Sequence, residues 1–158
     1  MADPQTSRDP EAGEAALAFS TRVIAGSYAY RFSGFTMASN VLYRLLGLGQ
    51  FRIREDGTLV GRHRSSITAL QGQGAKHQNG AYELEGRVTL ENDGSGSARI
   101  HFTNISDPKL NLIGEFYVLV AGAPDRLWFI SSGETLPSSG GIPADELVSL
   151  EAIRMARS

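Results

Sequence analysis

The chain contains no cysteine, which excludes disulfides, thiolate nucleophiles and zinc–thiolate sites and makes a reducing compartment the simplest setting. Neither sign of charge is in excess. Fifteen Lys and Arg stand against 17 Asp and Glu, a net of −2, too weak a field to gather nucleic acid or anionic lipid. No apolar run approaches the roughly 20 residues of a membrane-spanning helix. The opening MADPQTSRDPEAGEAALAFS has neither the basic leader nor the apolar stretch of a signal peptide. The cytoplasm is therefore the expected location, with no membrane and no nucleic acid among the partners. Histidine is scarce: three residues, none at HxH or HxxxH spacing, so no metal site is expected.

Reaction motifs are missing as well. Ser65-Ser66, Ser131-Ser132 and Ser138-Ser139 lack a GxSxG elbow or a base at fixed spacing, which removes acyl-enzyme chemistry. Gln71 to Lys76 has the glycines of a phosphate loop without its Gly-Lys-Ser/Thr ending, and reads as a connection.

What the chain does have is globular composition and many turns. At 158 residues with 41% hydrophobic side chains it can bury a core as one domain, and its 18 glycines punctuate short elements. Residues 1–20 read as a flexible N-terminal arm, with a short helix over Glu11 to Phe19 as the alternative. Residues 21–158 read as a single domain.

From Gly26 onward the hydrophobic period is two, the mark of strands with one buried face. Tyr28, Tyr30 and Phe32 alternate with Ala29, Arg31 and Ser33. Val41, Tyr43, Leu45, Phe51 and Ile53 share a parity with Gly47 and Gly49, as expected of one long strand with a glycine bend. Glu55-Asp56-Gly57 and Asn92-Asp93-Gly94 supply hairpin turns. Further strands are expected over Thr58–Leu70, Tyr82–Leu90, Ala98–Thr103, Leu110–Val120, Arg126–Ile130 and Glu146–Met155. Gln71–Gly80 and Ser131–Asp145 are the long loops, the second a candidate lid at the same rim as the first. A Gly-led alternating segment recurs at Gly26, Gly49, Gly86 and Gly114, an echo of a repeated hairpin.

This pattern predicts an all-β, antiparallel, mostly up-and-down barrel of about eight strands, since closure removes the exposed edges. Barrels of this size are either filled by side chains or hold one small ligand. The aromatic parity, Tyr28, Tyr30, Phe32, Tyr43, Phe51, Tyr82, Phe102, Phe116 and Phe129, is the candidate ligand-binding wall. No catalytic residue is singled out. His63 and His101 share faces with Arg or Ser neighbours, His77 lies in a polar loop, and all three are expected to be solvated. Glu83 and Glu85, two apart on one strand and about 7 Å from each other, share their face with Arg87 and read as a solvent-side charge ladder. The outer parity holds Leu42, Leu46, Leu48, Ile113, Leu119, Trp128 and Ile130, which points to subunit contacts or to the N-terminal arm lying across them, and homo-oligomerisation, most simply a dimer, is expected. The strand over Leu110–Val120 is apolar on both sides and is expected to be covered outside as well as inside.

The segments GSYAYRFSGF from Gly26, GQFRIREDGTLVG from Gly49, GRVTLENDGSGSARIHF from Gly86 and GEFYVLVAGAPDRLWFIS from Gly114 resemble uncharacterised bacterial proteins with calycin-like or allene-oxide-cyclase-like barrels. The resemblance spans Gly26 to Gly133. It implies an antiparallel barrel that binds apolar small molecules or steers cofactor-free cyclisation and isomerisation, and that self-associates. No catalytic residue of the cyclases matches a position here.

Three functions follow as expectations. The first is binding of a small apolar or amphipathic molecule inside the barrel. The second is a cofactor-independent cyclase or isomerase acting on a flexible hydrophobic substrate. The third is a filled barrel with an interaction role only. None requires a cofactor. An interior Glu, His or Arg would favour the enzyme, and a wholly packed interior would favour the third.

Overall fold

The computed structural model describes residues 20–38, 41–70, 77–108, 111–122, 124–132, 134–137 and 144–156. Among these there is no helix. The chain forms nine strands: β1 (Gly26–Ala38), β2 (Val41–Ile53), β3 (Thr58–Ala69), β4 (His77–Leu90), β5 (Ser95–Asn104), β6 (Asn111–Val120), β7 (Arg126–Ser131), β8 (Glu134–Pro137) and β9 (Ala144–Arg154). Each of β1 to β6 pairs antiparallel with the next, β7 pairs with β9, and β9 returns to β1 from Tyr28↔Arg154 to Met37↔Asp145. The sheet is thus closed. β7 and β8 both lie between β6 and β9, as two halves of one broken strand, so the barrel has eight positions. At the break the Val148 amide donates to Ser131 Oγ at 2.9 Å, a side chain replacing a ladder carbonyl.

The alternating pattern accounts for this closure. On β5 and β6, inward Ala98, Ile100, Phe116 and Val118 are buried while Arg99, His101, Glu115 and Tyr117 between them are exposed. The turn between β2 and β3 is closed by Arg54 N–H to Thr58 O and by Thr58 N–H to Asp56 Oδ1, both 2.9 Å, around Gly57 at φ +84°. Only glycine takes that backbone at no steric cost. The turn at Asp93 repeats the construction. These backbone and side-chain hydrogen bonds hold the Asp56 and Asp93 carboxyls below the usual carboxylate range.

One end of the barrel is plugged. The turn at 21–24 folds Ile24 under the strands until it is fully buried. Tyr28 Oη donates to Ile24 O at 2.8 Å and accepts from Arg154 Nη2 at 3.0 Å, while Arg154 Nη2 also donates to Val23 O at 2.7 Å. Above the plug, Tyr28, Ile53, Leu59, Val88, Leu127 and Phe129 fill the interior.

Several expectations are corrected here. β4 begins at His77, five residues before Tyr82, because its first residues still find ladder partners on β3. The expected lid over Ser131–Asp145 contains β8, which pairs with both β6 and β9 and so belongs to the wall. On the outer side of β6, Tyr117 is 65% exposed and Leu119 46% within the single chain, so the cover expected there has to come from outside its described residues. The arm over residues 1–19, the Gln71–Lys76 stretch and residues 138–143 lie outside the described residues.

The outer wall is divided. Arg62, Arg64, Glu83, Glu85, Arg87 and Arg99 leave β3–β5 charged. Tyr117, Leu119, Trp128, Ile130, Leu147, Phe35, Leu46 and Leu48 are exposed apolar side chains on β6, β7, β9, β1 and β2, with the Arg31–Glu151 and Arg126–Glu151 ion pairs among them. A lipid-facing barrel carries an apolar girdle all the way round, and the charged half interrupts it. No described helix is long and apolar enough to cross a membrane.

Tyr28→Phe should destabilise the protein by about 1–3 kcal/mol in urea denaturation at neutral pH, because it leaves the Ile24 carbonyl and the Arg154 guanidinium short of a buried partner.

Candidate functional site

The half of the barrel away from the plug is hollow. Two inward positions of β2 are Gly47 and Gly49, flanked on one side by Phe32 and Tyr30 of β1 and on the other by Ser65 and His63 of β3. A side chain at Gly47 would collide with the Phe32 and His63 rings, and one at Gly49 with the Tyr30 ring. The missing side chains are the space these rings occupy. Gly114 on β6 does the same for Phe116 and Phe102.

Between the rings remains a cavity of about 90 Å³. Its wall is formed by Tyr30, Phe32, Leu45, His63, Ser65, Ile67, Tyr82, Phe102, Leu112, Gly114, Phe116, Val148 and Leu150. Its floor is aromatic: Tyr30 packs on Phe51 with centroids 5.3 Å apart, and Phe116 meets Phe129 edge-on at 6.3 Å. The connections β1–β2, β3–β4, β5–β6 and β8–β9 leave the strands at the end opposite the plug, where residues 39–40, 71–76, 109–110 and 138–143 lie outside the described residues.

His63 is the polar centre of this apolar wall. It is 4% exposed and enclosed by four rings, those of Tyr30, Phe32, Tyr82 and Phe102, with centroids at 5.8, 4.7, 5.9 and 5.8 Å. Its Nδ1 lies 2.8 Å from Tyr30 Oη. Burial without a counter-charge pushes the imidazole down to about 4, so the ring is neutral at physiological pH. The same burial holds the Tyr30 phenol protonated well above its usual range. Ser65, two residues on, is also buried.

Of the nine aromatic residues read from sequence, Tyr30, Phe32, Tyr82, Phe102 and Phe116 line the cavity. Tyr28, Phe51 and Phe129 lie in the packed half, where Tyr28 spends its hydroxyl on the plug. Tyr43 is half-buried, paired with Thr36 and Ala69, and does not line the cavity.

His63 is the correction that matters. It was expected to be solvated, yet it points inward, because the parity that buries Leu59 continues through Gly61, His63 and Ser65 to Ile67. Arg62 and Arg64 mark the outer face instead, and that alternation was the available signal. His101 is exposed, as are Glu83 and Glu85 on the outer face of β4. Among the described residues no group of three or more His, Asp or Glu could hold a metal.

Neither a scan of protein-family models nor a search of curated proteins finds a match to this chain.

The depressed His63 pKa makes a stability prediction with a defined sign. In the unfolded chain the imidazole takes a proton near its ordinary 6.5 and in the folded chain only near 4, so acid favours unfolding between those values. Folded stability should be complete above about pH 6.5 and decline by roughly 3 kcal/mol as the pH falls to 4. His63→Gln, which keeps an acceptor for Tyr30 and removes the titration, should flatten the melting temperature across that window. An unchanged slope in the variant would place the acid sensitivity elsewhere.

Proposed function

We propose that this protein binds a small apolar or amphipathic molecule inside its barrel, in the cytoplasm. The observation that supports the reading is the unequal filling of the interior: one half is solid core, the other an apolar cavity with a small number of buried polar groups. That mixture is what small-molecule sites are made of. A cavity of about 90 Å³ is small beside the ~300 Å³ and above typical of ligand pockets. It takes one compact apolar group, and an amphipathic ligand would extend from it toward the end opposite the plug. A barrel with an interaction role only has no need of the hollow.

A second reading is favoured by His63. A neutral imidazole held by Tyr30 inside an apolar cavity can hydrogen-bond to an atom that gains charge during a reaction. That supports a cofactor-independent isomerase or cyclase, in which the wall holds a flexible substrate in a reactive shape. Binding remains the leading reading, because among the described residues no second acid or base lines the cavity besides the tyrosines.

The many exposed apolar side chains on β6, β7, β9, β1 and β2 support self-association as the way they leave water. A second copy is the partner we assign to them. Sedimentation should give a dimer for the native chain and a monomer for the double substitution Leu48→Glu, Trp128→Glu. A native chain that is monomeric at tens of micromolar would reject the assignment.

Xenon is a suitable probe of the cavity, because it enters dry apolar voids. It should shift the methyl resonances of Leu45, Val148 and Leu150, and Leu112→Trp, which fills the void from the wall, should abolish the shift. Native mass spectrometry of protein from its own host should then show a bound small molecule that Leu112→Trp loses. Recovery of that molecule unchanged after incubation fits carriage, whereas its conversion to an isomer fits the second reading. No bound molecule under any growth condition would count against both.

A further inference from the structure

The hydrogen bonding around His63 restricts what the cavity can accept, provided that the cavity is a binding site as proposed above. Tyr30 Oη has one hydrogen-bond partner among the described residues, His63 Nδ1 at 2.8 Å. A buried phenol keeps its proton and must donate it, because an unmatched buried O–H costs as much as a lost hydrogen bond. Nδ1 is therefore the acceptor. A neutral imidazole carries one N–H, so the proton sits on Nε2.

Nε2–H has no acceptor among the described residues, on a ring that is 4% exposed and lines the cavity. The Ser65 hydroxyl, 9% exposed in the same wall, is a second small donor two residues along the same strand face. Every other wall residue except Tyr30 and Tyr82 is apolar or glycine, and none carries a charge that could meet a carboxylate or an ammonium. An ion placed there would be buried without a partner, which costs several kcal/mol.

We infer that the ligand is an uncharged molecule with a compact apolar body and one hydrogen-bond-accepting oxygen, a ketone, aldehyde or epoxide, received by His63 Nε2–H. A free carboxylic acid or an amine does not fit this wall. The oxygen fixes the orientation of a body that the apolar surface alone would leave free to turn. For carriage this gives selectivity; for the isomerase reading it puts the donor on the oxygen that would gain charge.

Three probes of similar size separate the possibilities: cyclopentanone, its isostere methylenecyclopentane, and cyclopentanecarboxylate. Long-range proton–nitrogen spectra of the native protein should show the Nε2–H tautomer, with that proton shifted by cyclopentanone and not by methylenecyclopentane. The ketone-to-alkene affinity ratio should fall about tenfold in His63→Phe, a comparison in which the different hydration of the two probes cancels. The carboxylate should bind most weakly. If neither uncharged probe perturbs the cavity methyl groups, the binding reading itself fails. If both bind and neither the tautomer nor the ratio behaves as stated, or if the carboxylate binds best, binding stands and the assignment of ligand class is overturned. The native-protein spectra decide the matter even if His63→Phe does not fold.

Discussion

Pairing of β1 with β9 is the constraint on which the rest of the molecule depends. Ten residue pairs, from Tyr28↔Arg154 to Met37↔Asp145, join the first strand to the last and turn an edged sheet into a closed wall. Closure removes the free ladder groups that would otherwise recruit other chains. It also gives every strand an inside. Because side chains alternate with a period of two, one register then commits each inward residue to the same interior.

How that interior is occupied follows from where large and absent side chains meet. Near the plug, Ile24 and Tyr28 sit beneath Phe51 and Phe129, and the space is filled. Toward the other end the wall alternates between rings and glycines: Tyr30 against Gly49, Phe32 against Gly47, Phe102 and Phe116 against Gly114. Rings that lean over glycines stay close to the wall and leave the axis open. Adding methyl groups at those glycines would not simply fill the hollow, because the rings already occupy the positions the methyl groups need.

Within the hollow, His63 and Tyr30 share one hydrogen bond in apolar surroundings. Desolvation keeps the imidazole neutral and the phenol protonated. A buried polar pair of this kind contributes little net stability compared with apolar packing of the same volume. Its presence in a wall that is otherwise almost entirely apolar is the reason for reading the cavity as a site.

Fold class, approximate strand number and inward parity were legible in the order of the residues alone. Alternation along Gly26–Phe32, Tyr82–Leu90 and Ala98–Thr103, together with the turns at Gly57 and Gly94, admits few other arrangements. It also placed eight of the nine aromatic residues of the expected wall inside, Tyr43 being the exception. Only the tertiary structure divided that group into the packed Tyr28, Phe51 and Phe129 and the cavity-lining Tyr30, Phe32, Tyr82, Phe102 and Phe116, because height along a barrel axis depends on the stagger between strands, to which a period of two is blind. The inward parity of His63 was legible in its alternation with Arg62 and Arg64; its depth and its partner were not. Its neighbours Arg62 and Arg64 dominate the local composition, whereas its burial and its bond to Tyr30, 33 positions earlier, arise from the pairing of β1, β2 and β3 across Gly49.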